Sequence, residues 1–324
     1  MPHVLVAGAI HKTGMEMLKN RSDISYEYLT ESTDGSYVEF LKHADALILR
    51  TQPLLASGIE TAPNLKIVSR HGVGYDAVDL EALSARGIPL TIVGDVNSQS
   101  VAEHSFALLL AAAKRLIRND TAARSGCWDY KNKLEPEEIS GKKLLILGFG
   151  RIGQRVARLA AAFQMKIFVF DPYVSSEHFS QESVTRVMDL DLALSDVNYL
   201  SINMPSLERP LLNAREFELT QDGVVIVNTA RGGIINEPDM LSALENGKVG
   251  AAGLDVFNDE PPNNGSPFAC YSQVILTPHV AGLSKEAAEG MAISSVQNVL
   301  DYFDGRLDPE LIVNKESLSR NGNS

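Results

Sequence analysis

Residues 148–153 read Gly-Phe-Gly-Arg-Ile-Gly, which matches the pattern G-x-G-x-x-G. The apolar run 144–147 precedes this stretch, and a segment with apolar residues at helical spacing follows it. A second apolar run ends at Asp171, about 20 residues after the first glycine, where the dinucleotide-binding pattern has an acidic residue. The strand, turn and helix signals around the glycines therefore predict a nucleotide-binding βαβ unit rather than an isolated glycine-rich turn.

Each glycine of this stretch has a physical reason. Gly148 permits the tight turn, Gly150 lets backbone N–H groups approach a pyrophosphate, and Gly153 allows the helix to pack closely on the strand. The N-terminus of the helix would then face the phosphates, where its dipole favours negative charge. Asp171 is expected to accept hydrogen bonds from both ribose hydroxyls, and its charge would repel a 2′-phosphate. The stretch therefore predicts NAD as the cofactor in preference to NADP.

Strand-like and helix-like segments alternate along almost the whole chain. One predicted helix, 79–86, stops at Gly87, and another starts near Ser100 with Glu103 at capping-box spacing. Hairpin signals are scarce, so the alternation favours α/β lobes with doubly wound parallel sheets over an antiparallel α+β domain. The predicted strands are the apolar runs 4–7, 46–49, 66–69, 89–93, 144–147, 167–170, 199–202, 224–228, 251–255 and 274–276.

Composition excludes several classes of protein. The chain has 324 residues, of which 44% are hydrophobic, and at roughly 150 residues per domain it is long enough for two domains. Its 41 acidic and 29 basic side chains give a net charge of −12, which argues against nucleic acid or an anionic membrane as a partner. Cys127 and Cys270 are too few for a disulfide framework and too far apart for a zinc ribbon, so we expect a reducing, cytoplasmic setting and no metal. No apolar run reaches the ~18 residues of a membrane span, and the N-terminus lacks the features of a signal peptide.

Three charged residues lie where a parallel sheet would place a binding site. Arg231, Glu260 and His279 each follow a predicted parallel strand by a few residues. Because the carboxyl ends of such strands form the binding crevice, the three are candidates for one common site. Taken singly, each also has a simpler interpretation: a surface arginine, a solvated turn before two prolines, and a structural histidine.

Several short motifs follow one another along the chain. They are RHGVGYD at 70–76, VAEH at 101–104, GCW at 126–128, the glycine stretch, NTARGG at 228–233, LDVFNDEPP at 254–262 and TPHVAG at 277–282. This order resembles that of the D-isomer-specific 2-hydroxyacid dehydrogenases over nearly the whole chain, with details most similar to phosphoglycerate and glycerate (hydroxypyruvate) dehydrogenases. The resemblance implies an NAD-binding Rossmann lobe inserted into a flavodoxin-like substrate lobe.

The resemblance also implies a role for each of the three charged residues. His279 would be the general acid when a 2-oxo acid is reduced and the base when a 2-hydroxy acid is oxidised, which suits an imidazole with a pKa near 6.5. Glu260 would accept a hydrogen bond from the other ring nitrogen of that histidine. Arg231 would bind the substrate carboxylate and polarise the 2-oxo group. Hydride would pass directly between C2 of the substrate and the nicotinamide.

Substrate binding is expected to involve the first lobe as well. The resemblance implies that backbone N–H groups at Val73 and Gly74 hold the substrate carboxylate; a simple strand–helix turn is the alternative. Arg50 resembles a phosphate-contacting arginine of phosphoglycerate dehydrogenases, and Arg70 and Arg115 could add positive charge; surface or interface arginines are the alternative. The expected substrate is 3-phosphoglycerate or glycerate/hydroxypyruvate, and the alternative is sulfolactate or a lactate-type acid.

Further cofactor contacts follow from the same resemblance. Asp255 matches a position that contacts the nicotinamide amide, and Asn203 stands where many relatives have histidine. The expected NAD contacts are Gly148, Phe149, Gly150, Arg151, Ile152, Gly153, Asp171, Pro172, Asn203, Pro205, Thr229, Ala230, Asp255, Ser100, Val101, Ala281 and Gly282.

The motifs predict a discontinuous first domain. Residues 1–98 and 287–324 are expected to form the substrate lobe, which a strand at 312–314 would close. Residues 99–286 are expected to form the inserted NAD lobe. The chain ends where relatives with regulatory C-terminal domains continue, so feedback through such a domain is not expected.

Region 100–141 resembles the segment that forms a two-fold dimer contact in relatives, so a homodimer is expected. Trp128 is either an anchor of that interface or a core residue of its own lobe. Corepressor-type proteins that keep the fold and the NAD site, or an NAD-sensing module, remain alternatives to an enzyme. Formate dehydrogenase is a further alternative, although its catalytic histidine pairs with glutamine whereas this chain has Glu260.

Overall fold

The computed structural model describes residues 1–30, 36–175, 179, 184–263 and 265–321. The chain divides into two compact units, Met1–Asn97 with Leu283–Ser324, and Ser98–Gly282. The first unit ends at Asn97, one residue before the expected boundary, and resumes at Leu283, four residues before the expected one. Residues 322–324 of the expected first domain, like 31–35, lie outside the described part.

The described part of the first unit is built on a five-stranded parallel sheet with the order β2-β1-β3-β4-β5. The order reverses beside β1, so this is a flavodoxin-like arrangement with its switch point between β1 and β3. Its elements are β1 (His3–Ala7), α1 (Lys12–Lys19), β2 (Ser25–Leu29), β3 (Ala46–Leu49), α2 (Ala56–Glu60), β4 (Ile67–Arg70), α3 (Leu80–Ala85) and β5 (Leu90–Thr91).

Strand β2 was not predicted from the sequence. Its residues read SYEYL. Tyr26 is exposed and the other four are half-buried, because β2 is an edge strand that pairs with β1 on one side only. An edge strand lacks the continuous apolar run by which buried parallel strands are recognised. The predicted helix 79–86 is α3, whose N-cap Asp79 accepts a hydrogen bond from Ala82 N–H.

The second unit contains, among its described residues, a seven-stranded parallel sheet with the order β12-β11-β10-β9-β6-β7-β8. One hydrophobic cluster packs on each face of this sheet, as expected when helices cover both sides. Its elements are α4 (Ser98–Ala113), α5 (Leu116–Arg124), β6 (Lys143–Leu147), α6 (Arg151–Ala162), β7 (Lys166–Phe170), β8 (Thr185–Arg186), α7 (Leu190–Leu194), β9 (Tyr199–Ile202), α8 (Ala214–Leu219), β10 (Val224–Asn228), α9 (Glu237–Glu245), β11 (Val249–Leu254) and β12 (Val274–Leu276).

Helix α4 begins two residues earlier than the capping-box pattern predicts. Ser100 lies inside its first turn and donates its hydroxyl proton to Ala281 O at 2.6 Å, while Glu103 accepts a bond from the Gln99 side chain. The capping box is therefore wrong, because a partner distant in sequence takes the serine hydroxyl. The helix ends at Ala113, since Arg115 has a left-handed φ of 52°.

The C-terminal segment completes the first unit. Helix α10 (Lys285–Phe303) packs on the sheet, where the Ser69 hydroxyl donates to Ser295 O at 2.8 Å. Val296 and Val299 join the core around Val4. A short helix, α11 (Lys315–Asn321), ends the described chain. None of the described helices is long and apolar enough to cross a membrane.

The predicted closing strand at 312–314 is wrong as a strand. Ile312 forms an isolated antiparallel bridge with Thr91, and the segment continues no further as a ladder. Instead, the buried Asn314 side chain accepts a hydrogen bond from Leu90 N–H at 3.0 Å and donates one to Ile88 O at 2.9 Å. Backbone hydrogen bonds flank the bridge, with Val313 N–H donating to Leu90 O at 2.8 Å, and the side-chain amide extends this short pairing.

Close packing between β6 and α6 depends on two glycines of the 148–153 stretch. Gly148 has φ +91°, and a Cβ there would lie 2.7 Å from Asn203 O. A Cβ on Gly153 would lie 2.2 Å from Gly148 O, well inside van der Waals contact. Gly150 is different, because a Cβ there meets no described atom within 4 Å and its φ is −72°.

Gly153→Ala is expected to lower the free energy of unfolding by about 1–3 kcal/mol, because α6 must move away from β6 to admit the methyl group. Urea denaturation followed by circular dichroism measures this. Gly150→Ala is the matched control and should stay within about 0.5 kcal/mol of the wild type. Equal losses in the two variants would contradict the packing argument.

Candidate active site

The turn between β6 and α6 presents open backbone at Gly150, the N-cap of α6. The first N–H groups of a helix have no intrahelical partners, and the helix dipole attracts anions there. Because a Cβ at Gly150 would project into space free of described atoms, a phosphate can approach this backbone closely. The turn therefore fits the pyrophosphate of a dinucleotide.

Two side chains of the glycine stretch pack in or against the hydrophobic core. Phe149 is fully buried, and its ring stacks on that of Phe179 with centroids 5.1 Å apart. Ile152 packs against the same cluster. The expected cofactor contact of Phe149 can therefore come only from its backbone, whereas Ile152 is half-buried and Arg151 is exposed.

The carboxylate of Asp171 accepts hydrogen bonds that hold the glycine turn. Its Oδ2 accepts the Phe149 N–H at 2.7 Å, and its Oδ1 accepts the Tyr173 and Val174 N–H groups at 2.9 and 3.1 Å. A carboxylate offers about four acceptor positions, so these described donors leave room for about one more, on Oδ2. The hydrogen bonds from Asp171 to the ribose hydroxyls stay a prediction.

His279 and Glu260 form a hydrogen-bonded pair. The distance between His279 Nδ1 and Glu260 Oε2 is 2.5 Å, and the two side chains are 53% and 33% exposed. The hydrogen bond to Glu260 raises the pKa of His279 above its usual value, and it outweighs the opposing effect of partial burial. Burial acts to raise the pKa of Glu260, but the bonds from His279 and Phe257 N–H dominate and lower it. The pair thus stabilises the imidazolium form.

Arg231 lies beside this pair at the end of β10. The side chain of Asn228 shapes the turn: its Nδ2 donates to Arg231 O at 2.8 Å, and its Oδ1 accepts Ala230 N–H at 3.0 Å. A Cβ on Gly232 would lie 2.1 Å from the Phe257 carbonyl group, so this turn is pressed against the one that leads to Glu260. The charge of Arg231 acts on the pKa values of both Glu260 and His279, lowering each. The structure therefore brings the three predicted residues together.

Asp255 is fully buried, which differs from the expected contact with the nicotinamide amide. Its Oδ1 accepts the Thr277 hydroxyl at 2.5 Å and Val280 N–H at 2.9 Å, and its Oδ2 accepts Ala281 N–H at 2.9 Å. Its backbone carbonyl accepts His279 N–H at 2.9 Å. The carboxylate is thus occupied in holding the loop that carries His279, and it is not exposed to a ligand.

The other expected cofactor residues divide by exposure. Pro172 and Pro205 are exposed, and Gly282 is half-buried. Asn203 donates its amide to Ser201, and its Oδ1 is buried without a partner among the described residues. The buried members are Val101, Thr229 and Ala281, and the half-buried Ser100 and Ala230 lie beside them in the chain.

The expected substrate residues of the first unit lie at the carboxyl ends of β3 and β4. Arg50 directly follows β3, and a Cβ on Gly8 would lie 2.8 Å from its Cβ. Val73 and Gly74 follow β4 and are half-buried. His71, which lies between the end of β4 and Val73, was not predicted from the sequence as a site residue. Its buried Nε2 has no partner among the described residues. Burial, together with the charge of Arg50, lowers the pKa of His71 to about 4, so this imidazole is neutral at pH 7.

Comparison with known proteins agrees with this architecture. Residues 106–281 match the model of the D-isomer specific 2-hydroxyacid dehydrogenase NAD binding domain. A D-3-phosphoglycerate dehydrogenase from Archaeoglobus fulgidus is 33% identical over 93% of this chain, which spans only 57% of that protein's length. A glyoxylate reductase from Pyrococcus furiosus is 33% identical over 98% of this chain and 96% of its own.

The fold of this chain is also similar to that of a solved structure. The D-lactate dehydrogenase from Aquifex aeolicus, complexed with NAD and lactic acid, superposes with a TM-score of 0.83 at 28% identity, covering 94% of this chain and 96% of that one. Residues 106–281 are therefore the NAD-binding domain, which agrees with the fit of the glycine turn to a pyrophosphate. The chain belongs to the D-isomer specific 2-hydroxyacid dehydrogenase family.

Proposed function

We propose that this protein is an NAD-dependent oxidoreductase that interconverts a small 2-hydroxy acid and the corresponding 2-oxo acid. The observation that carries the proposal is the hydrogen-bonded pair of His279 and Glu260 with Arg231 beside it. An acid–base group and a carboxylate-binding cation at the carboxyl edge of an NAD-binding sheet are what this reaction needs.

His279 acts as the acid–base group in this proposal. Glu260 accepts the proton on Nδ1, so Nε2 is the nitrogen that exchanges a proton with the substrate oxygen. Because the pKa of His279 is raised, the imidazolium persists above the usual pH of about 6.5 and favours protonation of the 2-oxo group. When the reaction runs towards oxidation, the neutral imidazole takes the hydroxyl proton.

Arg231 binds the anionic end of the substrate. Its planar guanidinium matches a carboxylate, and its positive charge draws electron density from the adjacent 2-oxo carbon. NAD, when bound, supplies or accepts the hydride. The turn at Gly150 would hold the pyrophosphate, and Asp171, which holds that turn through Phe149 N–H, would accept hydrogen bonds from the ribose.

Consumption of NADH with a panel of 2-oxo acids tests the function, and pH dependence tests the pair. His279→Ala and Arg231→Ala should each reduce kcat by a factor of about 10² or more while the Kd of NAD changes little.

Glu260→Gln keeps an acceptor for Nδ1–H but removes the charge, so the pKa of His279 falls. The rate of reduction should then decline at lower pH than in the wild type.

Other outcomes would contradict the proposal. Near wild-type rates in His279→Ala or Arg231→Ala would exclude these residues as the catalytic groups. An unshifted pH profile in Glu260→Gln would show that the carboxylate does not control the pKa of His279. If the wild type reduces none of the 2-oxo acids, an NAD-binding interaction protein becomes the better description.

We further propose that the substrate carries a second anionic group, as 3-phosphoglycerate does, or is glycerate/hydroxypyruvate. Arg50 supports the first choice, because it follows β3 at the switch point where the order of the first sheet reverses. Relatives named for phosphoglycerate and for glyoxylate match this chain about equally, so similarity does not decide between them. Val73 and Gly74 are proposed to hold the substrate carboxylate through backbone N–H groups.

Oxidation of 3-phosphoglycerate, glycerate, lactate and sulfolactate with NAD tests the role of Arg50. Arg50→Gln should lower kcat/KM for the substrates with a phosphate or sulfonate about 10–100-fold and leave lactate nearly unchanged, because one charge-assisted hydrogen bond is lost. Arg306→Gln, on the exposed surface of the same unit, is the control. Equal wild-type activity on lactate and 3-phosphoglycerate would remove any special role for Arg50.

We also propose that the chain forms a homodimer through region 100–141. The alternative that Trp128 is a core residue is wrong, since this residue is 72% exposed. Leu134, Leu116 and Ile117 in the same region are also exposed. Large apolar side chains grouped in this way are typical of protein interfaces.

Exposed thiols at Cys127 and Cys270 suit the reducing cytoplasm, which we propose as the location.

Sedimentation velocity at micromolar concentration measures the oligomeric state. The wild type should sediment as a dimer, and Trp128→Asp as a monomer, because a charge would be buried in the interface. Met188→Asp changes an equally exposed apolar residue outside the region and should remain dimeric. A monomeric wild type would refute the dimer.

A further inference from the structure

Helix α4 contacts both ends of the loop that carries His279. The Ser100 hydroxyl donates to Ala281 O at 2.6 Å, and His104 Nε2 lies 3.1 Å from Thr277 Oγ1. Residues four apart lie on the same face of a helix, so one face of α4 holds this loop at two points. The loop spans 277–281, and His279 is at its centre.

The contact of His104 with Thr277 continues to the buried carboxylate of Asp255. Thr277 Oγ1 lies 2.5 Å from Asp255 Oδ1, and His104 Nε2 lies 3.7 Å from the same oxygen. A carboxylate only accepts hydrogen bonds, so the single hydroxyl proton of Thr277 is directed to Asp255. The lone pairs of Thr277 then face His104, and Nε2 must carry the proton that it donates. The chain of donors therefore runs from His104 through Thr277 to Asp255.

Asp255 in turn holds His279 in an unfavourable backbone conformation. Its two oxygens accept the N–H groups of Val280 and Ala281, and its carbonyl accepts that of His279. His279 has φ 53°, in the left-handed region that residues other than glycine seldom adopt. Such a conformation persists only when the surrounding structure holds it, and here the holding bonds converge on Asp255.

From these contacts we infer that His104 is a positioning residue for His279, which acts through the hydroxyl of Thr277 and the carboxylate of Asp255. Its Nε2–H fixes the direction of the Thr277 hydroxyl, and the hydroxyl completes the set of donors around Asp255. The loop then presents the His279 imidazole to Glu260 at hydrogen-bond distance. The kinetic meaning of this inference rests on the proposed function, but the structural part does not.

Hydrogen–deuterium exchange of the protein without substrate tests the structural part. In His104→Leu, which has similar volume but no donor, amides at 279–281 should exchange about tenfold faster, because they lose the fixed acceptor Asp255. His104→Gln retains an N–H donor and should restore slow exchange. Glu103→Leu, on the exposed neighbouring position of α4, is the control. Slow exchange at 279–281 in His104→Leu, or faster exchange throughout α4, would overturn the inference.

Steady-state kinetics tests the link to catalysis. His104→Leu should reduce kcat about 10–100-fold while KM for NADH changes less than about twofold, because a small displacement of a catalytic group lowers the rate of the chemical step. His104→Gln should recover most of the lost kcat. A loss shared equally between kcat and KM for NADH, or no rescue by glutamine, would point to general disruption of the fold.

A double-mutant cycle shows whether His104 acts through Thr277. Thr277→Val alone should reduce kcat as His104→Leu does, and the double variant should be no worse than Thr277→Val. Multiplied losses would show that the two residues act independently and would overturn the inference. If the wild type reduces no 2-oxo acid, the proposed function fails, while the exchange experiment still decides whether His104 holds the loop.

Discussion

The buried carboxylate of Asp255 is the constraint on which the candidate site depends. A charge removed from water must be matched by donors, and for Asp255 these are the hydroxyl and N–H groups of the 277–281 loop. Displacement of the loop would expose the carboxylate of Asp255 or leave it buried without hydrogen-bond donors. His279 therefore keeps its left-handed backbone, and Glu260 meets a histidine whose position is already set. The mechanism proposed for this family member follows from that placement.

Parallel sheet topology explains how distant residues form one site. Strands β10, β11 and β12 are neighbours in the second sheet, so the loops that follow them emerge side by side. Arg231, Glu260 and His279 belong to those three loops. The site therefore combines a cation, Arg231, with a carboxylate, Glu260, which accepts a hydrogen bond from the imidazole of His279. The hydrogen bond to Glu260 raises the pKa of His279, and it outweighs both partial burial and the charge of Arg231, which lower that pKa.

Local patterns predicted most of the fold, and their failures have physical reasons. Buried strands such as β3 and β9 coincide with apolar runs, because a strand covered on both faces must be apolar throughout. The edge strand β2 is half-exposed and carries no such signal. Ser100 has the spacing of a capping box, yet its hydroxyl bonds to Ala281, since a distant acceptor competes with the local one.

Local sequence features are sufficient to predict the glycine turn, the α/β class and the three charged residues that follow strands. Steric freedom at glycine, apolar periodicity and position at a strand end are properties of short segments. The pairing of groups depends instead on the tertiary structure. In the folded chain, Asp171 accepts the N–H of Phe149, Asp255 is buried beneath the 277–281 loop, and His104 contacts Thr277. Burial and hydrogen-bond partners depend on side chains that meet only after the strands have found their order in the sheet.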